Sequence, residues 1–209
     1  MIEIVDEKDI VEIMSEPVTT ELDVQRQPLM SMEKVMELGQ MLSKSTIIPV
    51  AYQNYPENCI IAVDMANRMG LSPIVVMQNL YVIQGKPSWS GQAMASMIRN
   101  SKQFKNVELH YIGTEGEDSF GAYVTAIRTS SGQELVGSKV TIGTAKKEGW
   151  YQKSGSKWQS IPSLMLAYRA YAFFGRVYAP ELLMGLQSVE EVNDAEVVTE
   201  TVVNPYEVR

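Results

Sequence analysis

The segment 149–181 most strongly limits the folds open to this chain, because it mixes many aromatic residues with basic ones. Eight aromatic residues lie in it: Trp150, Tyr151, Trp158, Tyr168, Tyr171, Phe173, Phe174 and Tyr178. Four basic residues lie among them: Lys153, Lys157, Arg169 and Arg176. The only acid is Glu181, at the end. A basic segment interleaved with aromatics is typical of a protein that holds a polyanion with flat bases.

The net charge of −7 would usually argue against nucleic acid, but the charge is unevenly distributed. Residues 1–24 carry −7 and residues 190–209 carry −5, so the middle of the chain carries +5. Between Lys139 and Arg176 there are seven bases and one acid, Glu148. The sequence therefore predicts a basic core between two acidic tails.

Composition excludes several classes of site and of protein. Cys59 and His110 each occur once, so we expect no disulfide, multi-cysteine zinc site, histidine cluster or Ser/His/Asp set. The 209 residues suffice for one domain with a sizeable core. The single cysteine fits a reducing intracellular compartment. No long apolar run and no signal-peptide pattern is present, so we expect no membrane span and no signal peptide.

Hydrophobic periodicity predicts an α+β chain of helices, three strand-like runs and a short hairpin. Helices are expected at 30–43, 59–69, 91–101 and 162–175, with a short one after a Thr144 cap. Strands are expected at 107–112, 120–128 and 134–141, and a hairpin at 81–89. We expect an acidic N-terminal arm (1–28), one folded domain (29–189) and a disordered acidic tail (190–209), both termini being flexible.

The predicted helix at 162–175 supplies the first candidate phosphate contacts. Arg169 and Arg176 are seven residues apart, which places them on nearly the same helical face. A guanidinium binds phosphate oxygens in a bidentate way, so this spacing suits a nucleic-acid backbone. The alternative is that both are ordinary surface arginines. Leu164, Tyr168, Tyr171 and Phe174 are expected to pack inward.

Two neighbouring segments supply further candidates. The loop 152–157 offers small residues with Lys153 and Lys157, and the segment 143–147 offers helix-start amides with Lys146 and Lys147. The alternatives are a flexible solvated loop and a charged exposed turn. Trp158, like Trp150 and Tyr151, is a candidate for base stacking, although aromatic residues are more often core.

A second basic cluster contains Lys86, Arg99, Lys102 and Lys105, for which a charged helix end is the simpler explanation. Glu115, Glu117 and Asp118 would suit a metal-dependent nuclease, but a solvated turn is the favoured interpretation. Cys59 and Trp89 are expected in the core.

The order of these pieces resembles the RecT family of phage and prophage single-strand annealing proteins. The resemblance covers roughly residues 33–192. It rests on IAVDMANRMGLSPIVVMQNLYVIQGKPSWSGQAMASMI, on GWYQKSGSKWQSIPSLMLAYRAYAFFGR and on VYAPELLMGLQSVEEV. The long-helix tract AYRAYAFFGR is less basic than is typical of the family.

The resemblance implies an annealing-protein fold in which a small antiparallel sheet with a hairpin is packed on helices. It also implies an ATP-independent homo-oligomer, a ring or helical filament, that binds single-stranded DNA in a basic groove, anneals it and holds the duplex. No catalytic residue and no cofactor is implied, and Mg²⁺ is compatible but not required. Backbone contacts would fall on Lys146, Lys147, Arg169 and Arg176, with Lys153, Lys157 and Trp158 in the same region. Lys86, Arg99 and Lys102 complete the candidate DNA-binding set.

The same resemblance implies the cytoplasm of a bacterial host and two candidate protein partners, a phage exonuclease and a single-strand binding protein. The acidic tails are candidates to compete with DNA or to bind such a partner. Three alternatives stay open: a passive single-strand binding protein, a metal-dependent nuclease and a structural phage protein.

Overall fold

The computed structural model describes residues 29–83 and 85–195. The first part contains α1 (Met32–Ser43), a 3₁₀ turn (Val50–Tyr52), α2 (Pro56–Met69), α3 (Pro73–Asn79), the hairpin β1 (Leu80–Ile83) and β2 (Lys86–Trp89), and α4 (Gly91–Arg99). The second part contains β3 (Phe104–Ile112), β4 (Gly121–Arg128), β5 (Glu134–Val136), β6 (Val140–Thr141), α5 (Ile142–Lys147), α6 (Lys157–Ser160), α7 (Pro162–Tyr178), α8 (Pro180–Leu183) and α9 (Val189–Asp194). The predicted α+β class is confirmed.

Local signals set most helix ends. The Ser31 hydroxyl accepts from the Lys34 amide and caps α1, as predicted. Gly70 ends α2 with a φ of 65°, a conformation that favours glycine. Pro162 begins α7, where its missing N–H costs nothing. The cap of α5 differs from the prediction: Thr141, not Thr144, caps it, because the Thr141 hydroxyl accepts from the Thr144 amide.

The larger sheet is antiparallel, in the order β3-β4-β5, with β6 also pairing with β4. The predicted strand 134–141 is therefore divided into two short strands, β5 and β6, which both pair with β4. The hairpin of β1 and β2 is a separate two-stranded sheet, as the sequence predicted.

Two apolar clusters form the interior. One lies between the sheet and α7 and includes Val124, Val140 and Phe174. The other is formed by the four helices α1, α2, α3 and α4 together with the hairpin. It includes Cys59 and Trp89, which confirms both as core residues. Ala172 of α7 belongs to this second cluster, so α7 contacts both.

Three details of the C-terminal region correct the sequence interpretation. Helix α7 continues to Tyr178, and Leu164 lies 41% exposed rather than packed inward. Residues 189–194 form helix α9, although the sequence suggested disorder beyond residue 189. The arm 1–28 and residues 196–209 of the predicted tail lie outside the described residues.

Within the described ranges, no single helix has the length and apolar character needed to cross a membrane. Among the described helices, only α2 and α3 taken together have that length and apolar character, and the chain bends by 114° between them.

Candidate nucleic-acid interface

Arg169 lies inside the molecule rather than on its surface. Its side chain is 4% exposed. The guanidinium carbon is 3.8 Å from the ring centroid of Trp150, 5.7 Å from that of Trp158 and 5.8 Å from that of Phe173. Nη2 donates to Oδ2 of Asp194 at 2.5 Å. A phosphate cannot reach this guanidinium while the present packing holds.

Trp158 is equally enclosed. It is completely buried, and its indole N–H donates to Oδ2 of Asp194 at 2.8 Å. This corrects the stacking role considered for it: the ring fills the core beneath α7, so its face is not open to a base. Trp150 is partly buried, and its ring packs on the Arg169 guanidinium. The ring centroids of Trp150 and Trp158 are 5.6 Å apart.

Arg176 lies two turns further along α7 and is about half exposed. Its Nη2 donates to Oε1 of Glu191 at 2.6 Å. Oε2 of the same carboxylate accepts from the Ser188 amide, and the Ser188 hydroxyl accepts from the Glu191 amide, which forms a capping box. Since Glu191 and Asp194 are three residues apart, they lie on one face of α9. That face meets the arginines of α7.

The basic loop 152–157 also contacts α9. Lys153 Nζ donates to the carbonyl oxygens of Asn193 and Ala195, at 3.2 Å and 2.7 Å. These carbonyls lie at the C-terminal end of α9, where a cation is favoured. Four of the ten candidate DNA contacts are therefore bound to the chain's own C-terminal segment: Lys153, Trp158, Arg169 and Arg176.

Burial opposes the charge on both members of the central pair. It lowers the pKa of the Arg169 guanidinium, although Glu191 and Asp194 pull the other way. Burial likewise raises the pKa of the Asp194 carboxyl, against the hydrogen bond from Trp158 and the charge of Arg169. Removing two charges from water costs much of what their attraction returns, so the pair adds little net stability but is costly to break.

The predicted anion site at 143–147 lacks free amides. The Ile142 amide donates to the Phe120 carbonyl, the Gly143 amide to the Asp118 carbonyl, and the Thr144 amide to the Thr141 hydroxyl. This corrects the expectation of open helix-start donors. Only the lysine side chains of α5 remain for an anion.

Lys146 is bound on the surface of this helix. Its Nζ lies 2.5 Å from Oδ1 of Asp118 and 5.2 Å from the ring centroid of Tyr151. The bond to Asp118 raises the pKa of Lys146. In the described part of the chain, no group of three or more His, Cys, Asp or Glu side chains is arranged to hold a metal ion.

Lys147 and Lys157 are exposed, and within residues 29–83 and 85–195 neither side chain has a hydrogen bond or ion pair. Two hydrogen bonds fix the segment that joins them: Ser156 Oγ donates to the Trp150 carbonyl at 2.7 Å, and Gln159 Nε2 to the Tyr151 carbonyl at 2.6 Å. We call residues 142–160 the α5–α6 unit. Lys146, Lys147 and Lys157 are all exposed in this hydrogen-bonded unit.

The second basic cluster lies elsewhere. Lys86 begins β2, Arg99 ends α4 and Lys102 follows it in an exposed turn. Burial raises the pKa of the Tyr171 hydroxyl in α7, and the nearby charge of Arg99 acts in the opposite direction. Among the described residues, no hydrogen bond or ion pair joins this cluster to the α5–α6 unit.

Sequence reasoning missed Glu191 and Asp194, which the structure places at the centre of the basic region. A signal for α9 was present: Ser188 followed three residues later by Glu191 is the capping-box pattern. No local pattern indicates that Asp194 faces Arg169, because that contact depends on how the segment after α8 folds back.

Comparison of the chain with protein-family models, with curated proteins and with solved structures gives no significant match.

Proposed function

We propose that this protein is an ATP-independent single-strand DNA annealing protein of a phage recombination system, with a RecT-like core. It binds single-stranded DNA as a homo-oligomer, pairs it with a complementary strand and holds the new duplex. This proposal rests on the ordered motifs that resemble the RecT family and on the basic surface that those motifs form.

The single observation that supports it best is the α5–α6 unit. Lys147 and Lys157 are exposed and unpaired among the described residues, and Lys146 of the same unit lies over the ring of Tyr151. Ammonium groups on a fixed surface neutralise phosphates without reading bases. An annealing protein needs this arrangement, because the base edges must stay free to pair with the second strand.

Oligomerisation would supply the remaining affinity. Each subunit offers few free cations, and a strand that crosses many subunits gains from every contact it makes after the first. Annealing breaks and forms no covalent bond, so the proposed activity needs no catalytic side chain and no bound nucleotide.

The test is an annealing assay without ATP, using two complementary oligonucleotides, one with a fluorophore and one with a quencher. The wild-type protein should accelerate quenching. The double variant Lys147→Glu with Lys157→Glu should bind single-stranded DNA about tenfold more weakly or worse, because reversed charges repel phosphates. Lys34→Glu with Lys44→Glu is the matched control, since both residues are exposed on or next to α1, far along the chain from the α5–α6 unit.

Each outcome separates one alternative. DNA binding without faster pairing would identify a passive single-strand binding protein. Cleavage of the oligonucleotides on adding magnesium would identify a nuclease. Equal losses in the two double variants would remove the α5–α6 unit as the DNA contact.

A further inference from the structure

The contacts that hold α9 to the basic region are polar, and two of them are ion pairs. Four polar contacts hold it to the basic region: Arg169 and Trp158 to Asp194, Arg176 to Glu191, and Lys153 to the terminal carbonyls. A further bond runs from the Gly91 amide to Glu190. The apolar residues of α9, Val189 and Val192, are only partly buried and belong to neither apolar cluster. The rest of the fold, by contrast, is held by those clusters.

A helix attached in this way is suited to detachment. Its six residues are too few to form a stable helix without contacts to the remaining protein. The ion pair that anchors it is desolvated on both sides, so its net contribution is small. Replacing Asp194 by another anion would keep Arg169 paired and would avoid the cost of an unpaired buried charge.

The packing between α9 and the basic loop is incomplete. A cavity of about 250 Å³ lies there. It is lined by Lys153, Ser154, Gly155, Ser156 and Lys157 from the loop and α6, by Met165 of α7, and by Val189, Glu190, Asn193 and Asp194 of α9. The cavity reaches Asp194, the carboxylate partner of Arg169, and Lys153 and Lys157 lie at the two ends of its loop lining.

We propose that Arg169, Arg176 and the Trp158 indole form a phosphate-binding site whose ligands in this structure are the protein's own Asp194 and Glu191 carboxylates. Helix α9 is then a displaceable cover. Single-stranded DNA replaces it, with phosphate oxygens taking the positions of the carboxylate oxygens that now accept from Arg169, Trp158 and Arg176. This rests on the proposed function, since it assigns a second DNA contact region and its regulation to the same protein.

Chemistry favours the exchange. A phosphodiester presents the same kind of anionic oxygen acceptor as a carboxylate, and arginine binds both in a bidentate way. Release of α9 also frees Lys153 from its carbonyl partners and removes the negative charges of Glu190, Glu191 and Asp194 from the basic region. One displacement thereby converts a neutralised region into a cationic one next to the α5–α6 unit.

The experiment compares the double variant Glu191→Gln with Asp194→Asn against wild-type protein in DNA binding measured by fluorescence anisotropy with labelled oligothymidine. Each amide keeps the shape of the side chain and one acceptor oxygen, but it replaces the second oxygen by an N–H₂ donor and loses the charge, so the cover is weakened. We expect about tenfold tighter binding, equivalent to about 1.4 kcal/mol. The matched control is Glu115→Gln with Glu134→Gln, which removes the same charge from exposed positions of the turn after β3 and of β5.

A second measurement uses the wild-type protein, in case the amide variant folds poorly. Hydrogen–deuterium exchange of residues 189–194 should rise when oligothymidine is bound, because α9 leaves its site. Unchanged or stronger protection would overturn the cover and make α9 a structural helix. The cover is equally overturned if the amide variant binds no tighter than its charge-matched control.

Failure of the proposed function gives a different result. If wild-type protein, amide variant and control all fail to bind oligothymidine, then DNA is not the ligand of this protein. The proposal that Arg169, Arg176 and Trp158 bind DNA phosphates is then wrong as well. If wild-type protein binds and anneals DNA while α9 stays protected, the function stands and only the cover is wrong.

Discussion

The arginines of α7 and the lysines of the α5–α6 unit come from one basic stretch of sequence, yet their surroundings differ completely. Arg169 is buried against three aromatic rings and bound to Asp194, whereas Lys147 and Lys157 are exposed and unpaired among the described residues. In this structure the first group is bound to carboxylates of α9, whereas the second has no partner among the described residues and is free for a ligand. Local charge density therefore does not indicate which cations are available to bind DNA.

Substitution of Arg169 should show the largest effect. Arg169→Ala leaves the Asp194 carboxylate buried without its cation, and we expect a loss of about 3–5 kcal/mol in the free energy of unfolding. Urea denaturation measures it. Arg176→Ala is the comparison: its side chain is about half exposed, so water can replace it at Glu191 and about 1–2 kcal/mol should be lost. Equal losses in both would contradict the assignment of Arg169 as the buried centre.

Trp158→Phe should have an intermediate effect. It removes the indole N–H donor from Asp194 while keeping an aromatic ring in the core, and about 1–3 kcal/mol of stability should be lost. Trp150→Phe makes the same change of ring at a partly buried position, where the indole N–H has no hydrogen-bond partner among residues 29–83 and 85–195. Thermal unfolding of the two variants compares them, and a larger loss at Trp150 would show that the bond to Asp194 contributes little.

The double variant Lys147→Ala with Lys157→Ala should change the free energy of unfolding by no more than about 0.5 kcal/mol per site relative to the wild-type protein. This is usual for exposed positions without structural contacts. Its effect should appear in DNA binding instead. Each lost phosphate contact lowers the slope of log affinity against log salt by about 0.7 for single strands. A titration series in sodium chloride measures the slope. A fall in stability with an unchanged slope would reverse the roles assigned to the two basic groups.

Much of the fold could be predicted because its signals are local. Ser31, Gly70 and Pro162 mark helix ends through their own backbone preferences, and alternation of apolar residues identifies β3 and β4. The strand predicted at 134–141 failed as one unit because its pairing with β4 breaks between Val136 and Val140. That break depends on the partner strand, and no local pattern marks it.

The candidate site was less predictable for the same reason. Helical spacing correctly placed Arg169 and Arg176 on one side of α7, but it could not show that α9 lies against that side. Trp158 was a candidate for stacking because its sequence neighbours are basic, and it became core because α6 turns its ring beneath α7.

By itself, the sequence determined the α+β class, the main helices and strands, and the concentration of positive charge between 139 and 176, because these follow from composition and from short-range periodicity. Only the tertiary structure decided which of those charges are free. Burial and pairing depend on contacts between segments distant in sequence: Asp194 reaches Arg169 across 25 residues and Trp158 across 36. The cost of desolvating a charge, and the partner that offsets it, are set by that packing.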